Sequence, residues 1–535
     1  MAGFLDLPNE LLLLVLEELS LDTPHDLLSL PALCQRLQDL SLPVYFASMG
    51  MPDPTQRATA ELRSDGKPDA LDALLMTSWV TSIDDFRCSL PADTVELVEH
   101  AGRLSTLIQK LDAVRRLTIV WAPPDNFESI EDLLDVEVLV DLGALAAQMQ
   151  TLLNAALKRG CNGLTLRNGV LFPVHPNVLR AGTISAVAHK LLPNTLSIGR
   201  SASWVDAQMG RFVDDAVHSL QFDSGGKHSP LSRLDIESTM FLLPPCLNWT
   251  LSALRFSPIS SLSLCGIFLS TKMWTAILPL IAELVPELAE LTMADLHGLE
   301  GTDILVFLTR LPLLKSLKIG YTEYSRRVQS SCPDSAPQPK FWHLEHLHAP
   351  STFVIHFLKK KSALPKLRTL CITPRKLILG FRGLRHIRQF CSVIARQLVK
   401  HRYAHLPEVC IEMRCGKDIM QRDFTADLAE PMGELARWLF VITRLVVFFD
   451  NDMSAAELSS LGRWINRFTG LVHVSLRMDA SSAEGWATVD TARAISVKTP
   501  HVKTFELNGV VFDAETLVEP TIPGPPRSRT VQFAV

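Results

Sequence analysis

Along most of the chain, aliphatic residues recur on two different periods. Short runs carry leucine or another aliphatic residue at alternate positions. Longer stretches carry apolar residues three and four apart. The first pattern predicts half-buried strands and the second amphipathic helices. Strand-like runs begin at Leu117, Leu164, Leu196, Leu220, Leu234, Leu262, Leu291, Leu317, Leu344, Leu367, Val409, Leu445, Val474 and Phe505. Helical periodicity covers residues 93–111, 131–158, 272–284, 378–402 and 453–468. Strand and helix therefore alternate, which predicts an α/β protein with parallel strands.

The spacing narrows the class. Leu262 to Leu291 is 29 residues, Leu291 to Leu317 is 26 and Leu317 to Leu347 is 30. Leu445 to Leu476 and Leu476 to Leu507 are 31 each. Two steps are longer, Leu117 to Leu164 at 47 and Leu370 to Ile411 at 41. A repeat of this length cannot bury its apolar face alone, so neighbours must stack to form a core. Asparagine follows the strand clearly only at Asn168 and Asn508. The stacking is thus expected to be irregular. A compact α/β domain shares the alternation. The near-constant period and the absence of a glycine-rich phosphate loop favour the stacked array.

The first 50 residues follow another plan. Pro8 suits a first helical turn, and Glu10 suits the positive end of the helix dipole. Leu11, Val15 and Leu19, with Leu12 and Leu16 beside them, form one broad apolar face. Asp26 is placed to cap a second helix carrying Leu27, Leu28 and Leu30. Leu33, Leu37 and Leu40 line a third. Three such short helices cannot hide all these leucines by themselves.

The pattern Leu7-Pro8-x-Glu10-Leu11-x-x-x-Val15-Leu16-x-x-Leu19, then Asp26-Leu27-Leu28-x-Leu30, then Cys34-x-Arg36, resembles an F-box. It differs in a longer turn at residues 20–25 and in Leu37, where that family often has tryptophan. The body that follows resembles the irregular leucine-rich-repeat region of divergent, fungal-type F-box proteins. The resemblance implies a three-helix module that docks on a Skp-type adaptor, and through it on a cullin–RING ubiquitin ligase. Its docking residues would be Leu7, Pro8, Leu11, Val15, Leu16, Leu27, Leu28 and Leu30. The expected architecture is an F-box-like module at 1–50, a Pro-rich linker at 51–70, an irregular leucine-rich-repeat solenoid at 71–515 and a flexible tail at 516–535. Its expected function is substrate recognition, with the solenoid holding a target protein. The alternative is a leucine-rich-repeat scaffold with no ligase link, whose N-terminal helices only cap the solenoid.

Composition and charge change this picture in few places. The net charge is −5, and 47% of residues are hydrophobic. The first 50 residues carry seven acids against Arg36 alone. Leu11 to Leu16 has no basic segment before it and is followed by Glu17 and Glu18, unlike a signal sequence. No run reaches the roughly 20 apolar residues of a membrane helix. The ten cysteines form no CxxC pair, so reduced, buried thiols in the cytoplasm or nucleus are expected. The segments 330–340 and 519–530 read as an exposed loop and a tail.

No catalytic constellation is present, and no enzyme activity, cofactor or metal is expected. Gly225-Gly226-Lys227 lacks the leading glycine of a phosphate loop. His343, His346 and His348 put two imidazoles on one strand face, but the sequence offers no further ligands beside them. Cys410 and Cys415 flank a strand with nothing to activate them. The marked feature is electrostatic. Residues 346–407 hold thirteen Lys and Arg and no Asp or Glu. Within them Arg385, Arg388, Arg396 and Lys400 share one expected helix. They form a candidate patch for an acidic or phosphorylated target, since guanidinium groups pair well with phosphate and carboxylate. RNA or DNA is the weaker match because few aromatics interleave.

Overall fold

The computed structural model describes residues 7–62, 68–91, 96–121, 142–167, 229–243, 246–320, 337–359, 364–373, 382–401, 406–415, 439–449, 455–478 and 489–518. The chain divides into two compact units, one running to Leu314 and the other beginning at Lys315. Each is an α/β layer structure with an open, solenoid-like sheet.

The first unit opens with three helical segments. These are α1 (Asn9–Asp22), a 3₁₀ segment (Pro24–Ala32) and α2 (Gln35–Ser48). The middle segment tightens to 3₁₀ with Pro31 inside it. Leu33 precedes α2 and is 69% exposed, rather than lining the third helix as expected. The module's core comes from Leu12, Leu16, Leu27, Leu28, Leu37, Leu42, Tyr45 and Phe46. Arg36 fastens the ends of this bundle. Its Nε donates to Asn9 Oδ1 at 2.9 Å and its Nη2 to the Leu7 carbonyl at 2.6 Å.

Seven parallel strands follow in sequence order. They are β1 (Arg57–Glu61), β2 (Ser82–Leu90), β3 (Ala113–Trp121), β4 (Gly163–Arg167), β5 (Arg233–Glu237), β6 (Ser261–Phe268) and β7 (Glu290–His297). The leading leucine of each strand from β3 to β7 pairs with that of the next: Leu117 with Leu164, then Leu234, Leu262 and Leu291 in turn. All five are buried. A fully buried leucine contributes about 1.5–3 kcal/mol, so one column of five is a principal source of the unit's stability. Helices α3 (Ala70–Met76), α4 (Leu97–Lys110), α5 (Leu142–Lys158), α6 (Cys246–Phe256), α7 (Thr271–Leu284) and α8 (Gly301–Thr309) supply the second layer. In that layer α4 packs on α5, α6 on α7 and α7 on α8. Among the described residues strand order equals sequence order, so these strands show no topological switch point of the kind that opens a nucleotide crevice.

Two strands are not legible in the alternation. The first, β1, falls inside the stretch 51–70 that reads as linker. In β2, consecutive Asp84 and Asp85 break the period. They stand opposite Arg115 and Arg116, each pair 3.8 Å apart on the surface. Conversely, β4 pairs directly with β5, Leu164 against Leu234. The strands that the alternation predicts at Leu196 and Leu220 lie outside the described residues, as does Asn168. In β6 and β7 a residue in left-handed backbone, Gly266 at φ 61° and Asp295 at φ 52°, inserts an extra step. Both insertions rephase the alternation so that Ile267 and Leu296 remain paired and buried.

The second unit repeats the scheme. Its parallel strands are β8 (Ser316–Ile319), β9 (His346–Pro350), β10 (Thr369–Thr373), β11 (Glu408–Cys415), β12 (Ile442–Phe449), β13 (His473–Met478) and β14 (Thr504–Leu507). Its helices are α9 (Ser351–Phe357), α10 (Arg382–His401), α11 (Ala455–Ile465), α12 (Val489–Ser496) and α13 (Ala514–Val518). The column Ile372–Ile411–Leu445–Val474–Phe505 crosses five strands and is buried throughout. The sheet ends on an antiparallel strand, β15 (Val510–Asp513), reached through Asn508-Gly509. Both turn residues have positive φ, 47° and 89°, as a two-residue hairpin with the sheet's twist requires. Asn508 also accepts the Met478 backbone N–H at 2.7 Å, tying that turn to β13.

Asp69 stands out as a single-residue support in the first unit. Its buried carboxylate caps α3 through Leu71 N at 2.9 Å and Asp72 N at 3.1 Å, and it binds Arg103 Nη2 of α4 at 3.1 Å. Asp69→Ala is expected to cost about 1–3 kcal/mol, combining a lost cap with the loss of one of the two carboxylates that hold Arg103, which keeps Asp72 at 2.7 Å. Thermal denaturation followed by circular dichroism reads the loss. Asp69→Asn keeps the cap and should recover about 1 kcal/mol of it.

Candidate functional site

Three surfaces carry the residues of interest. The first is the outer face of α1. One turn of helix decides which of its leucines turn inward. Leu12 and Leu16 are buried, whereas Leu11, Leu14, Val15 and Leu21 are 47%, 62%, 46% and 78% exposed. Of the residues expected to dock, Pro8, Leu11 and Val15 are exposed, and Leu7 and Leu30 are half-buried. Leu16, Leu27 and Leu28 are instead committed to the module's own core, because a bundle this small needs them there. Leu14, Leu21 and Leu33 join the exposed set, although the sequence pattern does not distinguish them from their buried neighbours. Glu10, Glu17, Glu18 and Asp22 are exposed among them.

Other residues join the module to the chain that follows. Gln38 Nε2 donates to the Met76 carbonyl. The Phe46 ring meets Trp79 edge-on at 6.0 Å, and Met51 Sδ accepts the Thr59 N–H at 3.1 Å.

The second surface is α10. Its inner face buries Cys391, Ile394, Ala395 and Leu398, and its outer face shows Gln389, Val393, Arg396, Val399 and Lys400. Arg396 and Lys400 therefore share the expected outward face. The side chains of Arg385 and Arg388 lie outside the described residues. The basic stretch also finds acids from beyond its own limits, as where Arg368 Nε lies 3.3 Å from Glu345.

The third surface is the open face of the second unit's sheet, and its sequence signal is weak. Pairing aligns Lys318, His348, Cys371, Cys410, Arg444, His473 and Thr504 in one polar row across seven strands. His348 Nε2 is 3.8 Å from Glu412 Oε2, and Cys371 Sγ is 3.9 Å from the same oxygen. Cys371 and Cys410 share a side-chain hydrogen bond. That bond and then burial push the Cys371 thiol well up, with Glu412 adding to the effect and Arg444 opposing it. Burial lowers the His348 imidazole, helped by Lys318 and opposed by Glu412. His346 sits on the same strand but turns to Thr369, Nδ1 to Oγ1 at 2.7 Å. His343 faces Lys366 instead, at 3.4 Å. The other cysteines behave as packing groups. Burial pushes Cys161 and Cys246 up to about 12, and Cys88 and Cys391 are raised as well.

Further along this row, Glu506 joins Arg477 Nη2 at 2.9 Å and faces His473 Nε2 at 3.5 Å. Among the described residues no helix is long and apolar enough to cross a membrane. No protein-family model matches the sequence, and no curated protein is significantly similar to it.

The Glu506 cluster sets a pH dependence. Burial acts to raise the Glu506 carboxyl, but the hydrogen bond and charge of Arg477 outweigh it and hold the group below its usual value. A depressed carboxylate stabilises the fold above its unfolded pKa, about 4.3, and that contribution disappears as pH falls through the folded value. Burial, and after it Arg444, likewise lowers His473, with the same sign. The melting temperature should therefore fall on acidification more steeply in the native chain than in Glu506→Gln.

Proposed function

We propose that this chain is the substrate-recognition subunit of a Skp–cullin–F-box-type ubiquitin ligase, with α1 docking on the Skp-type adaptor and the repeat sheet holding a target protein. The observation that carries the reading is the two-sided α1. Its inner leucines complete a three-helix core, while Leu11, Leu14, Val15 and Leu21 present an aliphatic strip to solvent. A helix that merely sealed a repeat array would carry a polar outer face, because that face is what keeps a capped solenoid soluble. The acidic residues among these leucines suit a partner whose rim is basic. In this reading the chain performs no chemistry. It raises the concentration of target beside the transfer machinery. The outward Arg396 and Lys400 are the described part of a face suited to an acidic or phosphorylated target.

A second reading, a leucine-rich-repeat scaffold with no ligase link, is favoured by the way Gln38, Phe46 and Met51 fasten the module to the start of the sheet. The two readings separate on one measurement. In a pull-down against a Skp-type adaptor, the full chain should bind, and Leu11→Asp/Val15→Asp should weaken binding at least tenfold, roughly the worth of one buried aliphatic side chain. Circular dichroism should remain unchanged, since neither residue is in the core. A native chain that does not bind the adaptor leaves the scaffold reading in place.

A further inference from the structure

We propose that His348, Cys371, Cys410 and Glu412, on three adjacent strands of the second unit, form a binding site for a single Zn²⁺-class ion. The sequence shows these residues 23 to 64 positions apart across strands, in no ligand motif. Parallel pairing brings them together: Cys371 is in register with His348 on one side and with Cys410 on the other. Glu412 lies two residues beyond Cys410, on the same strand face.

The distances fit. Zn²⁺ holds sulfur at about 2.3 Å and imidazole or carboxylate at about 2.0–2.2 Å, so tetrahedral donors stand roughly 3.3–3.8 Å apart. Donor atoms of His348, Cys371 and Glu412 all lie within 4.8 Å of one another. The two separations to Glu412, 3.8 and 3.9 Å, are already close to that tetrahedral edge. Cys410, in register with Cys371, lies outside that group of three and becomes the fourth donor once its side chain turns toward the ion. The set of two sulfurs, one nitrogen and one oxygen is borderline-soft, which selects zinc over magnesium or calcium.

A divalent ion would take both sulfurs as thiolates and release their two protons to solvent. The neutral imidazole is the ligating form of His348. Two thiolates and one carboxylate around a divalent ion leave one net negative charge. Arg444, in register with Cys410, stands beside it. Its Nε is buried without a hydrogen-bond partner among the described residues. All four donors are only partly buried, so an ion can enter from the open face.

The test uses the full chain, stripped with a chelator, kept in a non-thiol reductant and titrated with Co²⁺. One equivalent should produce the visible bands of a tetrahedral thiolate site, and Zn²⁺ should abolish them. Cys371→Ser and His348→Ala should each weaken binding by more than about 100-fold, beyond the loss typical of an outer-shell change. His343→Ala, on a neighbouring residue outside the group, should bind as the native chain does. Absence of a stoichiometric tetrahedral spectrum overturns the proposal, and so does binding that both variants leave intact. Should Cys371→Ser fail to fold, Glu412→Gln beside His348→Ala decides the question in its place. Adaptor binding does not enter this readout, so the site stands or falls apart from the ligase reading.

Discussion

The rest of the structure depends on columns of aliphatic side chains that run across strands. In the first unit Leu117, Leu164, Leu234, Leu262 and Leu291 meet in register beneath the helices. In the second, Ile372, Ile411, Leu445 and Val474 do the same, and Phe505 ends the column. A slip of one residue would turn a whole strand's apolar set into solvent. The irregularities are therefore informative. Left-handed steps at Gly266 and Asp295 lie in neighbouring strands, so the column survives an insertion in both. At the end of the sheet Asn508 and Gly509 reverse the chain, and an antiparallel strand covers an edge that would otherwise offer unpaired backbone.

With one face of each sheet given to the core, the other is available for recognition. Its residues are brought together by the same register, which is why it carries polar rows rather than scattered polar residues. In the second unit such a row holds cations, thiols and imidazoles side by side, and neighbouring acids answer them. Arg477, Glu506 and His473 form one self-contained group. His348, Cys371, Cys410 and Glu412 form another, in which donors outnumber the cations near them. The fold thus concentrates chemistry wherever repeats place compatible residues at the same phase.

The N-terminal module shows the opposite economy. A bundle of three short helical segments has little interior, so it can bury only part of its leucine content. Leu12 and Leu16 go inward with Leu27 and Leu28, and Arg36 closes the ends through Leu7 and Asn9. Leu11, Leu14, Val15 and Leu21 of α1, together with Leu33, stay exposed. Gln38 and Phe46 join the module to Met76 and Trp79 in the chain that follows.

Periodicity alone determined much of this protein. Every strand expected from alternating aliphatics that falls among the described residues is present, and the helical stretches at 272–284 and 378–402 match α7 and α10 closely. Short-range patterns are legible because they reflect which side chains share one face of one element. Tertiary structure decided the remainder. It took β1 from an apparent linker and β2 from behind Asp84 and Asp85, since pairing with an existing strand outweighs a broken alternation. It set β4 directly against β5 across a separation of about 70 residues. It chose which leucines of α1 face inward, because a face is apolar before packing determines what it meets. It also assembled His348, Cys371, Cys410 and Glu412, whose proximity is a matter of register between strands and leaves no trace in their spacing along the chain.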